Sequence, residues 1–128
     1  MIRSTVPPGT SDNLNCFFMP EFLTEKNFVS DFINNQHWIF GLKNTDQDKK
    51  FKKKIEELFT FSYEAKKINY KNLCFVLNSE AEMIKLFRNN YLSMKVSFCN
   101  EISEFCKKKE IDYERVRKFA VLDDRIGE

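Results

Sequence analysis

The sequence predicts a mixed α/β chain, with short strands first and a mainly helical part after them. Two observations predict it. Three short apolar runs, Cys16–Met19, His37–Leu42 and Leu73–Leu77, have strand length and are separated by turn or helical sequence. From Ser79 to about Lys108 there is neither proline nor glycine, which suits one long helix. With 128 residues, 42% of them hydrophobic and fourteen of them Phe, the chain has material for a real core.

Residues 1 to 6 read as a short strand that Pro7-Pro8-Gly9 stops and turns. Ser11 or Asp12 is placed to cap a brief helical turn. Cys16-Phe17-Phe18-Met19 reads as a buried strand ending at Pro20, and residues 21–34 as loop and short helix. In His37–Leu42, Gly41 allows a close backbone approach. Thr45 to about Thr60 is helical, with Thr45 and Asp48 suited to cap it. Phe51, Ile55, Leu58 and Phe59 fall on one face, and the Lys49–Lys54 run lies on the other. Ser79 with Glu82 spells a capping box at the head of the long helix. That helix carries Met83, Ile84, Phe87, Tyr91, Leu92, Met94, Phe98, Ile102 and Phe105. They occupy more than one face, so burial on several sides is expected, in part by another chain. Asp112 caps a last helix that packs Tyr113, Val116 and Phe119.

Charge narrows the partners. The net charge is +2 with 31% charged residues, a balance that argues against nucleic acid. The Lys49–Lys54 run is broken by Phe51 and faces Glu56 and Glu57, as a solvated helix face does. No apolar stretch approaches the ~20 residues of a membrane span, and the N-terminus has no signal-peptide layout. Cys16, Cys74, Cys99 and Cys106 form no CxxC pair and sit in apolar or helical sequence; they read as free buried thiols in a reducing cytoplasm, with no metal site.

Two polar groupings bear on chemistry. Lys85, Asn89 and Ser93 recur every four residues along one side of the long helix, beside Ile84, Leu86 and Phe87. A partly desolvated amine donates to a developing oxyanion or loses basicity, and an amide one turn on positions a water or hydroxyl. An ordinary lysine reaching past apolar neighbours to solvent fits the same spacing. Glu21 and Glu25 are also four apart. On a helix they share a face and act as base and polar anchor; in a loop they are solvated surface.

Five blocks together resemble the UDP-glucose/GDP-mannose dehydrogenase family. They are Ser4-Thr5-Val6-Pro7-Pro8-Gly9-Thr10, Pro20-Glu21-Phe22-Leu23-Thr24-Glu25, Ala81-Glu82 through Lys85 and Asn89, Asn100-Glu101-Ile102, and Asp124-Arg125-Ile126-Gly127. They follow the family's order over nearly the whole chain, and the Pro-Glu-Phe-Leu form suits the UDP-glucose group. The resemblance implies an NAD-dependent oxidoreductase that oxidises the C6 alcohol of a nucleotide sugar, UDP-glucose foremost, to UDP-glucuronate, through a cysteine-bound intermediate. It implies that residues 1–77 are the end of a Rossmann-type NAD domain, a sheet-edge remnant, and that 78–128 are a central helical domain with one long dimerisation helix. Thr5 would lie near the nicotinamide and the catalytic water, with Ser4 beside it. Glu21 would be the acid–base carboxylate. Phe22 and Leu23 would offer backbone groups to the nucleotide sugar, and Glu25 would face the cofactor. Lys85 and Asn89 would stabilise the oxyanion and position the C6 oxygen or water. Arg125 would reach a substrate, often that of the other subunit.

The chain departs from the family pattern as well. Its glycines are Gly9, Gly41 and Gly127, which cannot spell the dinucleotide fingerprint, and none of its cysteines has the context of the family's nucleophile. The expectation is a central fragment, inactive alone, that does not bind NAD unaided and pairs with itself or a full-length relative through the long helix. Two other readings fit the same residues: a non-catalytic dimerisation or binding module, and a degenerate gene product.

Overall fold

A computed structural model describes residues 1–127. Seven elements follow in order: α1 (Thr10–Asn13), α2 (Phe28–Ile33), β1 (His37–Leu42), α3 (Gln47–Glu64), β2 (Asn72–Leu77), α4 (Asn78–Lys108) and α5 (Tyr113–Ala120). The α/β class, the strands at residues 37–42 and 72–77 and the single long helix are as the sequence predicts, but Cys16–Met19 is not a strand: only Phe18 bridges, to Ile2 and Gly41, too short a pairing to build a ladder. The chain divides into two compact units, Met1–Arg88 and Asn89–Glu128, described in turn.

The first unit is built on a βαβ element. β1 and β2 pair in parallel, Trp38 opposite Leu73 and Phe40 opposite Phe75. A parallel pair needs a crossover, and α3 supplies it. Both faces of the sheet are covered, so both strands are apolar after their exposed first residues, His37 and Asn72. On one face Trp38 and Phe40 join Met19, Ile55, Phe59 and Ile68, with Phe51, Leu73 and Phe75 against them. On the other, Ile39 joins Phe18 and Ala81, with Ile2, Val6, Phe22, Cys74, Val76 and Ile84. The Trp38 indole N–H is satisfied in the core by the Tyr70 carbonyl at 2.8 Å.

Several local expectations are corrected. Residues 1–6 are no strand: only Ile2 bridges, in parallel, to Phe18. Phe18 in turn accepts from the Gly41 N–H at 2.7 Å, so this buried residue ties the N-terminal segment to β1. Neither Ser11 nor Asp12 caps α1; both lie inside it, and Gly9 at φ +92° precedes it. The start of α3 is marked by Asp48, whose carboxylate accepts from the backbone N–H of Thr45 (3.1 Å) and Lys43 (3.2 Å). Ile55 and Phe59 are buried as expected, but Leu58 is exposed. At 100° per residue it stands to the side of the Ile55–Phe59 line, beyond the reach of the sheet. Lys53 pairs with Glu57 at 3.9 Å on the solvated side.

In the second unit, Asp112 caps α5 as predicted, accepting from the Arg115 N–H at 3.2 Å. Burial is slight. Cys106 is buried, whereas Leu92, Met94, Phe98 and Phe119 are exposed, so the multi-sided burial expected of α4 is not met within this chain. The cysteines are free, but Cys99 is exposed and Cys16 and Cys74 only half-buried, against the expectation of buried thiols throughout. No helix among the described residues is long and apolar enough to cross a membrane.

Candidate functional site

Lys85 is the centre of the polar chemistry in the first unit. It lies in the first turns of α4, on the side that carries Ala81 and Ile84 into the core, and only 7% of it is exposed. Its ammonium donates to the backbone carbonyl of Glu21 and stands 5.7 Å from the centre of the Phe22 ring. Burial pushes the amine below the ordinary lysine value; the nearby Glu21 carboxylate opposes that shift, and Arg3 adds to it. The sequence offered solvent or a buried donor for this side chain, and the structure places it in the buried position.

The segment that Lys85 holds is extended, not helical. Glu21 and Glu25 therefore share no helical face: Glu21 is half-buried, 3.9 Å from Arg3, and Glu25 is exposed. Phe22 and Leu23 are half-buried beside them. Arg88 lies over the Phe22 ring, 4.1 Å from its centre, a stacking distance. Thr24 closes the segment by donating from its N–H (2.8 Å) and its hydroxyl (2.6 Å) to Asp31 at the head of α2. The chain that carries Glu21, Phe22 and Leu23 is thus pinned at both ends.

Ser4 and Thr5 are exposed on the stretch between Ile2 and the Pro7–Gly9 turn. In the second unit Asn89 is exposed, as is Ser93, so the buried part of the expected stripe ends at Lys85. Arg125 is also exposed; its guanidinium is held two-handed by Asp123, Nε to Oδ1 at 2.9 Å. That pairing lifts Arg125 above the ordinary arginine value and holds Asp123 below the carboxylate range.

Three participants were not singled out from the sequence: Arg3, Arg88 and Asp31. Arg3 and Arg88 stand next to residues of the quoted blocks, but a single arginine on a loop or helix carries no local signal of its partner. Asp31 is seven residues beyond Thr24, a spacing set by the loop rather than by any period.

Comparison with known proteins gives the class first. Residues 79–128 match the central domain of the UDP-glucose/GDP-mannose dehydrogenase family. The likeness extends over nearly the whole chain to named relatives. A UDP-glucose 6-dehydrogenase of Campylobacter jejuni is 33% identical over 99% of this chain and 32% of its own length. One from Rickettsia bellii is 31% identical over 99% of this chain and 30% of its own length. Among solved structures, a UDP-glucose dehydrogenase from Pyrobaculum islandicum superposes with a TM-score of 0.73 at 27% identity, over 98% of this chain and 30% of that one. A GDP-mannose dehydrogenase from Pseudomonas aeruginosa gives the same TM-score at 25% identity. The resemblance carried by the five sequence blocks is borne out by these likenesses, and the chain spans about a third of the length of the relatives it matches.

The family is NAD-dependent, so the fit of this chain to a dinucleotide can be tested on its donors. A pyrophosphate needs a run of open backbone N–H groups, typically at a helix start after glycine. The glycine turn before α1 offers such groups at Gly9 and Ser11, but both already donate to the Glu82 carboxylate. These residues do not make a dinucleotide cradle by themselves.

Proposed function

We propose that this chain is the substrate-side, central part of a nucleotide-sugar dehydrogenase acting on UDP-glucose. The observation that carries the reading is the buried Lys85, donating into the Glu21–Thr24 segment. A desolvated ammonium fixed at one end of a pinned loop is a pre-oriented donor for charge developing on a substrate oxygen. In this reading Lys85 stabilises the oxyanion at C6 and Glu21 moves the proton. Thr5 and Asn89 position the water, and the backbone of Phe22 and Leu23 holds the nucleotide sugar. Ser4 and Glu25 sit on the cofactor side, and Arg125 contacts a substrate once released from Asp123. Residues 1–77 are assigned to the end of the cofactor domain and 78–128 to the central domain. The four free thiols suit a reducing cytoplasm.

We further propose that these 128 residues do not turn over UDP-glucose alone. Gly9 and Ser11 are committed to Glu82, and no cysteine stands in a nucleophile's loop. A second reading, a non-catalytic module that pairs with another chain, is favoured by one observation: Leu92, Met94 and Phe98 on α4 are each at least 60% exposed.

The test is a UDP-glucose titration of the nitrogen-15-labelled chain, with a parallel assay for reduced NAD. The expected result is saturable shifts of the Phe22 and Leu23 amides and no NAD reduction. A titration that moves neither amide sinks the substrate assignment; turnover by the chain alone sinks the claim of inactivity.

A further inference from the structure

Glu82 is a fully buried carboxylate that none of the roles above uses. The sequence suggested a capping box, with Glu82 reaching back to Ser79. The structure puts it elsewhere. Its two oxygens accept from the backbone N–H of Gly9 at 2.6 Å and of Ser11 at 2.7 Å, more than seventy residues away in sequence. The local capping role passes to Glu80, which accepts from the Leu77 N–H at 2.7 Å. Charge-assisted bonds of this length are the strong kind, and burial removes the competing water.

Neighbouring contacts reinforce the same junction. Asn78, also fully buried, donates to the Asp12 carboxylate at 2.6 Å and the Cys16 carbonyl at 2.9 Å. The first residues of α4 thereby hold the whole Gly9–Cys16 stretch. On its other side, Ile2 is fixed by its two bonds to Phe17 and Met19. Thr5 lies between these two anchors, Ile2 and Gly9. Lys85 is one helical turn beyond Glu82 on α4 and holds the Glu21 segment.

We infer that Glu82 is a positioning residue: its carboxylate sets the register of the Thr5–Ser11 segment against α4, and so the place of Thr5 relative to Lys85. The inference rests on the nucleotide-sugar reading for what Thr5 and Lys85 do; the clamp itself does not. Spacing explains the design. Two anchors three residues apart on one buried helical face fix two otherwise independent loops to a single rigid body. Glutamine in place of Glu82 keeps the shape but turns one accepting oxygen into a donor aimed at an N–H, so one of the two bonds becomes a repulsion.

The test compares wild type, Glu82→Gln and Glu82→Asp as full chains. Expected for Glu82→Gln are retained β1 and β2 amide signals and exchange of the Gly9 and Ser11 amides faster by about tenfold or more. Added UDP-glucose should then leave the Thr5 amide unmoved while still shifting Phe22 and Leu23. Glu82→Asp keeps the charge but withdraws it by one methylene; it should recover part of the protection and part of the Thr5 response. It is read in the same way if Glu82→Gln does not fold. Unchanged exchange at Gly9 and Ser11 overturns the clamp. Faster exchange with an undiminished Thr5 response overturns the positioning role and leaves Glu82 structural. If wild type itself shows no UDP-glucose shift at any of the three residues, the nucleotide-sugar reading falls and the positioning role with it, while the exchange data still decide the clamp.

Discussion

Gly41 leaves no room for a side chain because Asn78 occupies it. A Cβ added to Gly41 would stand 2.5 Å from Asn78 Oδ1, 2.9 Å from Asn78 Cα and 3.1 Å from Phe18 Cβ. Two of these three atoms cannot swing away, one being backbone and the other a Cβ of a fully buried phenylalanine. Gly41→Ala should therefore destabilise the chain by about 1–3 kcal/mol, the usual cost of overpacking a closed site. Urea unfolding of the two proteins measures it. An unchanged midpoint would mean that the β1–α4 approach is looser than these distances.

That close approach also shows what the sequence could reveal. Gly41 in an apolar strand signals a near backbone, and the structure supplies the neighbour. β1 was readable to the residue, α4 to within one, and the Asp112 cap outright, because each depends on local periodicity or on a side chain bonding its own turn. The partners of Lys85 and Glu82 were not readable. A carboxylate three residues after a serine satisfies the capping-box pattern, and nothing local says that Gly9 and Ser11 will arrive to outbid it. Likewise the spacing of Lys85, Asn89 and Ser93 predicts a shared side of a helix but not where the buried part of that side ends. The burial expected for the apolar excess of α4 is not found in this chain, since hydrophobicity calls for a cover without saying which chain provides it.

Asp31 makes the acid stability of the α2 junction depend on pH. The Thr24 hydroxyl first, and the Thr24 N–H second, hold its carboxyl below the ordinary carboxylate value of 3.8. A carboxyl with a depressed folded value contributes stability above the unfolded value and loses it as pH falls through the folded one. Wild type should thus melt higher than Asp31→Asn at neutral pH, and the gap should close below 3.8. Paired thermal melts across the acid range check this. A gap that stays constant with pH would show that the Thr24 bonds do not depend on the charge.

Lys85 carries a linkage of the same slope at the alkaline end, there as a cost that rising pH relieves. Its folded value is depressed from 10.5, mainly by burial. Between the folded value and 10.5 the unfolded chain binds more protons at this site than the folded one, so this group makes stability rise with pH. Below that window the buried charge weighs fully against folding. Lys85→Met should abolish this contribution: subtracting the variant's stability curve from that of wild type should leave a rise toward pH 10.5 and a flat line at neutral pH. A flat difference throughout would mean that the ammonium is solvated, and with it the case for a desolvated oxyanion donor would fail.

The apolar surface of α4 yields the last prediction, which tests the pairing proposed for the second unit. Leu92 and Met94 are each 60% exposed, Val96 61% and Phe98 65%. A monomer rarely presents so much apolar side chain on one helix, and burying it against a second copy would gain about 25 cal/mol for each Å² removed from water. The chain should therefore self-associate, with a sedimentation coefficient that rises with concentration. Phe98→Glu places a charge on the most exposed of these side chains and should shift the chain toward monomer, while leaving the first unit's Trp38 environment unchanged, as its fluorescence would report. If wild type is monomeric at all concentrations, a second copy is not the cover. A partner of another sequence would then be the reading to pursue, by adding a full-length relative to the same sedimentation experiment.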